Sequence, residues 1–212
     1  MKTTTRLCIV RHGETDWNAV RRIQGQIDIP LNATGHAQAA TTAAGLAGER
    51  FDAVYSSDLL RAWQTAEPIA AAHGLPPRPE PRLRERHYGR IQGLTTAEAQ
   101  ERCPDLHAAY AGRHLHHDLD GGETLTVFAD RIAGLLGELA RAHIGCNVLL
   151  VAHGGVLDII YRIAAGRDLA SPRDFPIPNA ALNRIEYDGT TWRLVAWGDR
   201  THLESSLDEV AG

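Results

Sequence analysis

Two histidine–glycine pairs, His12-Gly13 and His153-Gly154, each follow a short apolar run: Leu7-Cys8-Ile9-Val10 and Val148-Leu149-Leu150-Val151-Ala152. Such runs read as buried strands, and ligands in α/β sheets gather at the carboxyl ends of strands. Arg11 stands next to the first histidine. These residue types suit phosphoryl transfer through a histidine. One neutral imidazole nitrogen attacks phosphorus, so the ring must be held in a single tautomer. Arginines neutralise the phosphoryl oxygens in bidentate fashion, and an acid protonates the leaving oxygen. With enough positive field from such groups, no metal is needed.

His12 is the nucleophile candidate. Arg61 falls in the first turn of a helix expected from Leu59 to Ala72, whose N-terminus also favours anions. His153 ends a strand and precedes a helix, so its imidazole and the Gly154 N–H can both face a phosphate. Glu85, within Leu83-Arg84-Glu85-Arg86-His87-Tyr88-Gly89, is the acid candidate. Taken singly, each has an ordinary structural reading: a capping histidine, a solvated helix charge, an idle loop carboxylate. The combination carries the chemistry. A protein that only binds phosphate needs no acid, so Glu85 favours an enzyme over a catalytically idle binder.

The surrounding elements follow from local signals. Thr34 is a plausible N-cap for a helix running through Ala37, Ala40, Ala44 and Leu46 to Gly48. Phe51–Tyr55 reads as a strand, and Ser56-Ser57-Asp58 offers N-caps for the Leu59–Ala72 helix. Residues 76–93 read as loop. A helix over Thr96–Arg102 is stopped by Pro104, and Gly122-Glu123-Thr124-Leu125 opens a long helix reaching Ala142. A strand over Asn147–Ala152 precedes a helix over Gly155–Ala165. Leu182–Tyr187 and Thr191–Trp197 flank Asp188-Gly189, a hairpin signature. Strands alternating with helices imply an α/β fold, a sheet covered by helices on both faces.

Composition narrows the class. At 212 residues the chain has room for one well-buried domain, expected over 1–212. A net charge of −4 at pH 7 argues against a nucleic-acid binder. Lys2 is the only lysine, so no internal lysine serves as Schiff base or phosphate clamp. Cys8, Cys103 and Cys146 are widely spaced without a CxxC, and Cys8 reads as a buried structural thiol. No signal-peptide core or membrane-length apolar run is present, which places the expected protein in the cytoplasm, away from membranes. His114, His116 and His117 read as a solvated loop, since no cysteine or carboxylate cluster completes a metal set.

Arg11-His12-Gly13-Glu14-Thr15-Asp16-Trp17-Asn18, then Gln24-Gly25, Asp28, Pro30-Leu31 and Thr34-Gly35, resembles the opening signature of the histidine phosphatase superfamily, the phosphoglycerate-mutase-like family. Ser56-Ser57-Asp58-Leu59-Leu60-Arg61-Ala62, Thr65-Ala66, Glu85 with Gly89, and Val151-Ala152-His153-Gly154-Gly155 are similar to its later blocks, in order. The resemblance spans about residues 6 to 197. It implies a three-layer α/β/α sandwich with a mostly parallel mixed sheet and no metal. It implies a phosphohistidine at His12, a phosphate pocket of Arg11, Arg61 and His153, and Glu85 as proton donor. Thr15, Asn18, Gln24, Gly154, His87 and Asn179 are the expected substrate-binding positions around it. His87 has a second reading, packing on Tyr88.

The family holds both phosphatases and mutases. Glu85-Arg86-His87-Tyr88-Gly89 with Gln92-Gly93-Leu94 resembles the bisphosphoglycerate-dependent mutases, but Thr95-Thr96 stand where those carry Asn-Lys. The mutases also have a longer insertion with paired arginines, against Tyr110-Ala111-Gly112-Arg113-His114 here. Fewer phosphate-retaining cations would leave the phosphohistidine to water. Hydrolysis of a small phosphorylated metabolite is the favoured expectation, and 2,3-bisphosphoglycerate would be a cofactor only for a mutase. A homodimer is a further expectation.

Overall fold

The two apolar runs form neighbouring strands at the centre of one sheet: β1 (Thr5–Arg11) and β4 (Asn147–Ala152). The computed structural model describes residues 4–208, so Lys2 and both ends of the expected 1–212 domain lie outside the described residues. Strands β2 (Ala53–Ser56) and β3 (Arg78–Pro79) continue the parallel part, and the hairpin β5 (Leu182–Tyr187) and β6 (Trp192–Asp199) completes the other side. The strand order is β3-β2-β4-β1-β5-β6, with β5 antiparallel to β1.

Helices α2 (Ala33–Leu46) and α3 (Leu60–Ala72) cover one face, and α6 (Leu125–Ala142) and α7 (Gly154–Ala165) cover the other. Successive strand residues point to opposite faces. Leu7, Ile9, Val148 and Leu150 therefore pack with Phe128, Ile132 and Leu157, whereas Cys8, Val10, Leu149 and Val151 pack with Leu46, Ala62 and Ile69. Burial on both sides is why these strands read as continuous apolar runs rather than alternating ones. The result is a three-layer α/β/α sandwich with a mostly parallel mixed sheet. Cys8 is buried there, and desolvation pushes its thiol up to about 12. The short α1 (Asp16–Ala19) follows the first strand, α4 (Thr96–Arg102) and α5 (Pro104–Ala111) contribute to a smaller cluster around Ile23, Ile91 and Leu119, and α8 (Thr201–Asp208) lies against α2.

Register assembles the site. β1 and β4 pair with Arg11 opposite Ala152, so the next residue of each chain is a histidine, His12 beside His153. β2 pairs with Ser56 opposite Val151, which brings Ser57 level with Ala152 and lets its Oγ reach His153 Nε2 at 2.8 Å. Ser57, His153 and His12 thus form a row across three strand ends.

Several local expectations are corrected. Asn32, not Thr34, caps α2, its side chain accepting from Gly35 N–H at 2.9 Å. No Ser56–Asp58 side chain caps α3; its N-cap is Leu59. Ser57 is engaged by His153 and Asp58 by Arg84, and Asp28 Oδ1 instead meets the Leu60 N–H at 2.7 Å. Pro104 ends α4 but also begins α5, as proline's fixed φ permits at a first helical position. The loop over 76–93 contains β3 and two 3-10 turns, Pro81–Leu83 and Gly89–Ile91. The hairpin connection spans four residues, closed by the Asp188 carboxylate on the Thr190 and Thr191 N–H groups.

The segment after His12 is stapled to the start of α2. Glu14 O accepts from Asn32 N–H at 3.0 Å, and Glu14 N–H donates to Gln38 Oε1 at 2.8 Å. The approach is so close that a Cβ on Gly35 would lie 2.1 Å from Glu14 O. Gly35→Ala must therefore push backbone against backbone, at about 1–3 kcal/mol, lowering Tm by roughly 3–10 °C. A melting curve matching that of the unsubstituted protein would refute this tight contact.

Candidate active site

His12 is buried, and its Nδ1 lies 2.7 Å from Gly13 O. A carbonyl oxygen only accepts, so the ring hydrogen resides on Nδ1 and the lone pair on Nε2. Burial, reinforced by Arg61 and Arg11, holds its pKa well below 6.5. The ring is therefore neutral and nucleophilic near neutral pH. Asn179 Nδ2 donates to His12 O at 2.8 Å and Gly13 O at 3.3 Å, and Gly13 N–H donates to Thr65 Oγ1 at 3.0 Å. The backbone that orients the imidazole is itself fixed from two sides.

His153 tilts against His12 with ring centroids 5.1 Å apart. Its Nε2 meets Ser57 Oγ at 2.8 Å, while Ser57 Oγ also accepts from Leu59 N–H at 3.3 Å. With Ser57 donating to Nε2, the His153 hydrogen sits on Nδ1. Burial, then Arg61 and His12, keeps this ring well below 6.5 as well.

Arg61 is buried in the first turn of α3, its two terminal nitrogens bound to Ile27 O (3.0 Å) and Gly25 O (2.7 Å). Desolvation lowers its pKa to about 10, so it remains a cation. Arg11 binds Ile177 O and is likewise lowered, chiefly by burial. Arg11 Nε, Arg61 Nε and His153 Nδ1 are buried without a partner among the described residues. Buried donors without partners are costly unless a ligand meets them, and an oxyanion fits this set.

Glu85 is buried opposite. Oε1 accepts from Arg86 N–H and Oε2 from Gly155 N–H, both at 2.8 Å. Arg11, His12, Asn18, Gln24, Arg61, Glu85 and Gly154 line one cavity of about 580 Å³, which His153 adjoins through its ring contact with His12.

Three expected binding residues stand behind the cavity instead. Thr15 is buried as the N-cap of α1, in a reciprocal capping box with Asn18. Asn179 braces the His12 backbone, as described. His87 faces its own loop, with Nδ1 accepting from Gly89 N–H at 3.1 Å and Nε2 beside Gln92. It is Tyr88 that lines the cavity, packed edge-on against Tyr110. Residues missed in the sequence include Ser57, Arg86, Tyr88 and Gly155. A Cβ on Gly155 would lie 2.1 Å from Glu85 Oε1, a requirement visible only once two distant segments meet. Ser57 belongs to the Ser56–Ala62 block, where its position before a helix reads as a cap.

Seven arginines line the cavity, against the carboxylates of Glu85 and Asp158. They arrive from separated segments, so no single motif displays them. Thr95 caps α4 through Glu98 and contributes no charge. His116 and His117 bond locally, to Thr126 and to Leu119 N–H. Among the described residues no three His, Cys, Asp or Glu side chains converge to hold a metal ion. No helix among them is long and apolar enough to cross a membrane.

Residues 7–200 match the family model of the histidine phosphatase superfamily, branch 1. A metal-independent phosphoserine phosphatase of Arabidopsis thaliana is 41% identical, over 95% of this chain and 84% of its own length. Phosphoglycerate mutase-like protein 4 of the same plant is 39% identical, over 94% and 87%. The structure of a mycobacterial glucosyl-3-phosphoglycerate phosphatase complexed with VO3 superposes with a TM-score of 0.82 at 33% identity, covering 92% of this chain and 99% of that one. On the site geometry and on these likenesses, the chain belongs to the histidine phosphatase superfamily.

Proposed function

We propose that this chain is a phosphatase that hydrolyses a small phosphomonoester through a phosphohistidine at His12, one catalytic unit spanning its length. One observation carries the reading. A neutral His12, with its hydrogen on Nδ1, presents Nε2 beside the unpartnered donors of Arg11, Arg61 and His153.

Nε2 attacks phosphorus as the ester P–O bond breaks, and Glu85 delivers a proton to the leaving oxygen. The positive charge that develops on the ring is met by Gly13 O at Nδ1. Arg11, Arg61, His153 and the Gly154 N–H hold the phosphoryl oxygens. Glu85, now a carboxylate, takes a proton from water. That water attacks the phosphohistidine, releasing phosphate and regenerating neutral His12. Asn18 and Gln24 contact the substrate at the rim; Thr15, His87 and Asn179 support the loops that carry the site. No step requires a metal. The phosphatase names among the relatives support hydrolysis.

A bisphosphoglycerate-dependent mutase is the second reading, favoured by the arginine-rich cavity. Turnover of p-nitrophenyl phosphate with a chelator present, followed by 3-phosphoglycerate isomerisation with bisphosphoglycerate added, separates the two. Hydrolysis without isomerisation is expected; rapid isomerisation overturns the assignment. His12→Ala should reduce turnover by about 10³-fold or more, and full activity in that variant would refute the phosphohistidine.

Gly155→Ala tests Glu85 separately. The added methyl meets the movable end of the Glu85 side chain, so the fold should persist while kcat falls about 10²-fold through misplacement of the acid. Unchanged kcat in a folded variant would remove Glu85 from its role.

The two histidines also set a pH dependence of stability. They stay neutral in the fold well below 6.5, yet protonate near 6.5 when the chain unfolds. The unfolded state then binds more protons, so stability falls as pH drops below about 6.5, by about 1.4 kcal/mol per pH unit for each ring. In denaturant titrations from pH 7 to 5, His153→Asn should show a shallower decline. Equal slopes would contradict a neutral His153.

A further inference from the structure

Helix α1 ends in a Schellman turn: Arg22 N–H donates to Trp17 O at 2.8 Å and Arg21 N–H to Asn18 O at 3.1 Å. Arg21 occupies its left-handed position, with φ +54°. Helix α5 ends in the same way. His114 N–H donates to Ala109 O at 2.9 Å, Arg113 N–H donates to Tyr110 O at 3.2 Å, and Arg113 has φ +53°. Glycine adopts this conformation freely, whereas a side chain there is strained. Both arginines line the catalytic cavity.

Arg113 has a structural role. Its guanidinium donates to Asp158 Oδ2 at 2.7 Å and to Leu169 O at 3.0 Å. Arg21 has no comparable anchor. It is exposed in the cavity wall, and its guanidinium has no hydrogen-bond or ion-pair partner among the described residues. Arg173, between α7 and β5, is likewise exposed, unpaired among the described residues and part of the cavity wall. It stands near the phosphate pocket, since its charge bears on both Arg11 and the Tyr110 hydroxyl.

The charge balance points the same way. Of the two carboxylates in the wall, Asp158 is engaged by Arg113 and Arg162. A phosphomonoester dianion satisfies Arg11 and Arg61. Of the cations left over in the same cavity, Arg86 is bonded to the Glu123 and His117 carbonyls, whereas Arg21 and Arg173 have no side-chain partner among the described residues. We propose that Arg21 and Arg173 form a second anion subsite that binds a carboxylate or a second phosphate at the distal end of the substrate. This rests on the phosphatase reading and narrows its substrate to doubly anionic phosphomonoesters.

Two substrate pairs test it on the full chain. 3-Phosphoglycerate and glycerol 3-phosphate differ by a carboxylate in place of a hydroxymethyl group; fructose 1,6-bisphosphate and fructose 6-phosphate differ by a second phosphate. In one pair the anionic member should have the higher kcat/KM by about tenfold or more, as a charge-assisted contact implies, and that pair identifies the anion. Arg21→Gly, Arg173→Met and the double variant should shrink this ratio through KM, while Arg21→Gly keeps or raises Tm because strain is relieved. Ratios near one in the unsubstituted protein, or a ratio unchanged in the double variant, overturn the proposal. The Tm increase given by each ligand at equal concentration supplies the same comparison without turnover. If no ester is hydrolysed the phosphatase reading fails, and the ligand-induced Tm shifts still decide for or against the subsite.

Discussion

The pairing register of β1 with β4 is the constraint on which the site depends. Neighbouring parallel strands lie about 4.8 Å apart, and with Arg11 opposite Ala152 the two histidines that follow sit side by side, 5.1 Å between rings. A slip of one residue would turn Leu7 and Ile9 toward the opposite face and break both apolar layers. Core packing on the two faces thus enforces the register, and the register enforces the row of Ser57, His153 and His12. The geometry is carried by the most buried part of the molecule, not by loops.

A second constraint is electrostatic. In the proposed reaction the nucleophile must be neutral, yet the phosphate must be surrounded by cations, and both demands are met by the same groups. Withdrawal from water and the neighbouring Arg61 and Arg11 all disfavour protonated His12. The hydrogen bond to Gly13 O decides which nitrogen is free. This explains why residues expected to touch substrate serve elsewhere. Asn179 holds the carbonyls of His12 and Gly13, and Thr15 caps the turn that brings Asn18 to the cavity. Their effect on a ligand passes through His12 and Asn18.

The central strands are legible in the sequence because burial on two faces leaves continuous apolar runs. His12, Arg61, Glu85 and His153 are legible because each lies at a recognisable strand end, helix start or loop motif. Caps mislead where a nearby side chain is committed to a distant partner: Ser57 to His153, Asp58 to Arg84. Helix α5 escapes a local reading because Pro104 serves equally well as a stop and as a first residue. Gly155 and the arginine-rich wall are illegible for another reason. Their significance depends on distances between segments remote in sequence.

The way those cations are held explains how so many coexist around one cavity. Away from the site, arginines take carboxylate partners: Arg84 with Asp58, Arg184 with Glu49. In the cavity wall Arg22 and Arg113 do so as well, with Glu98 and Asp158, but three others are anchored by backbone carbonyls: Arg61 by Gly25 and Ile27, Arg11 by Ile177, Arg86 by Glu123 and His117. A carboxylate would orient a guanidinium but cancel its charge, whereas a carbonyl dipole orients it and leaves the net charge for the ligand. Glu85 could have neutralised this field. Its oxygens are instead held by the Arg86 and Gly155 N–H groups, and among the described residues no arginine side chain forms an ion pair with it. Glu85 thus acts on Arg11 and Arg61 through its charge without being bonded to either. In the proposed reaction, that arrangement lets one cavity bind a phosphate and still protonate its leaving group.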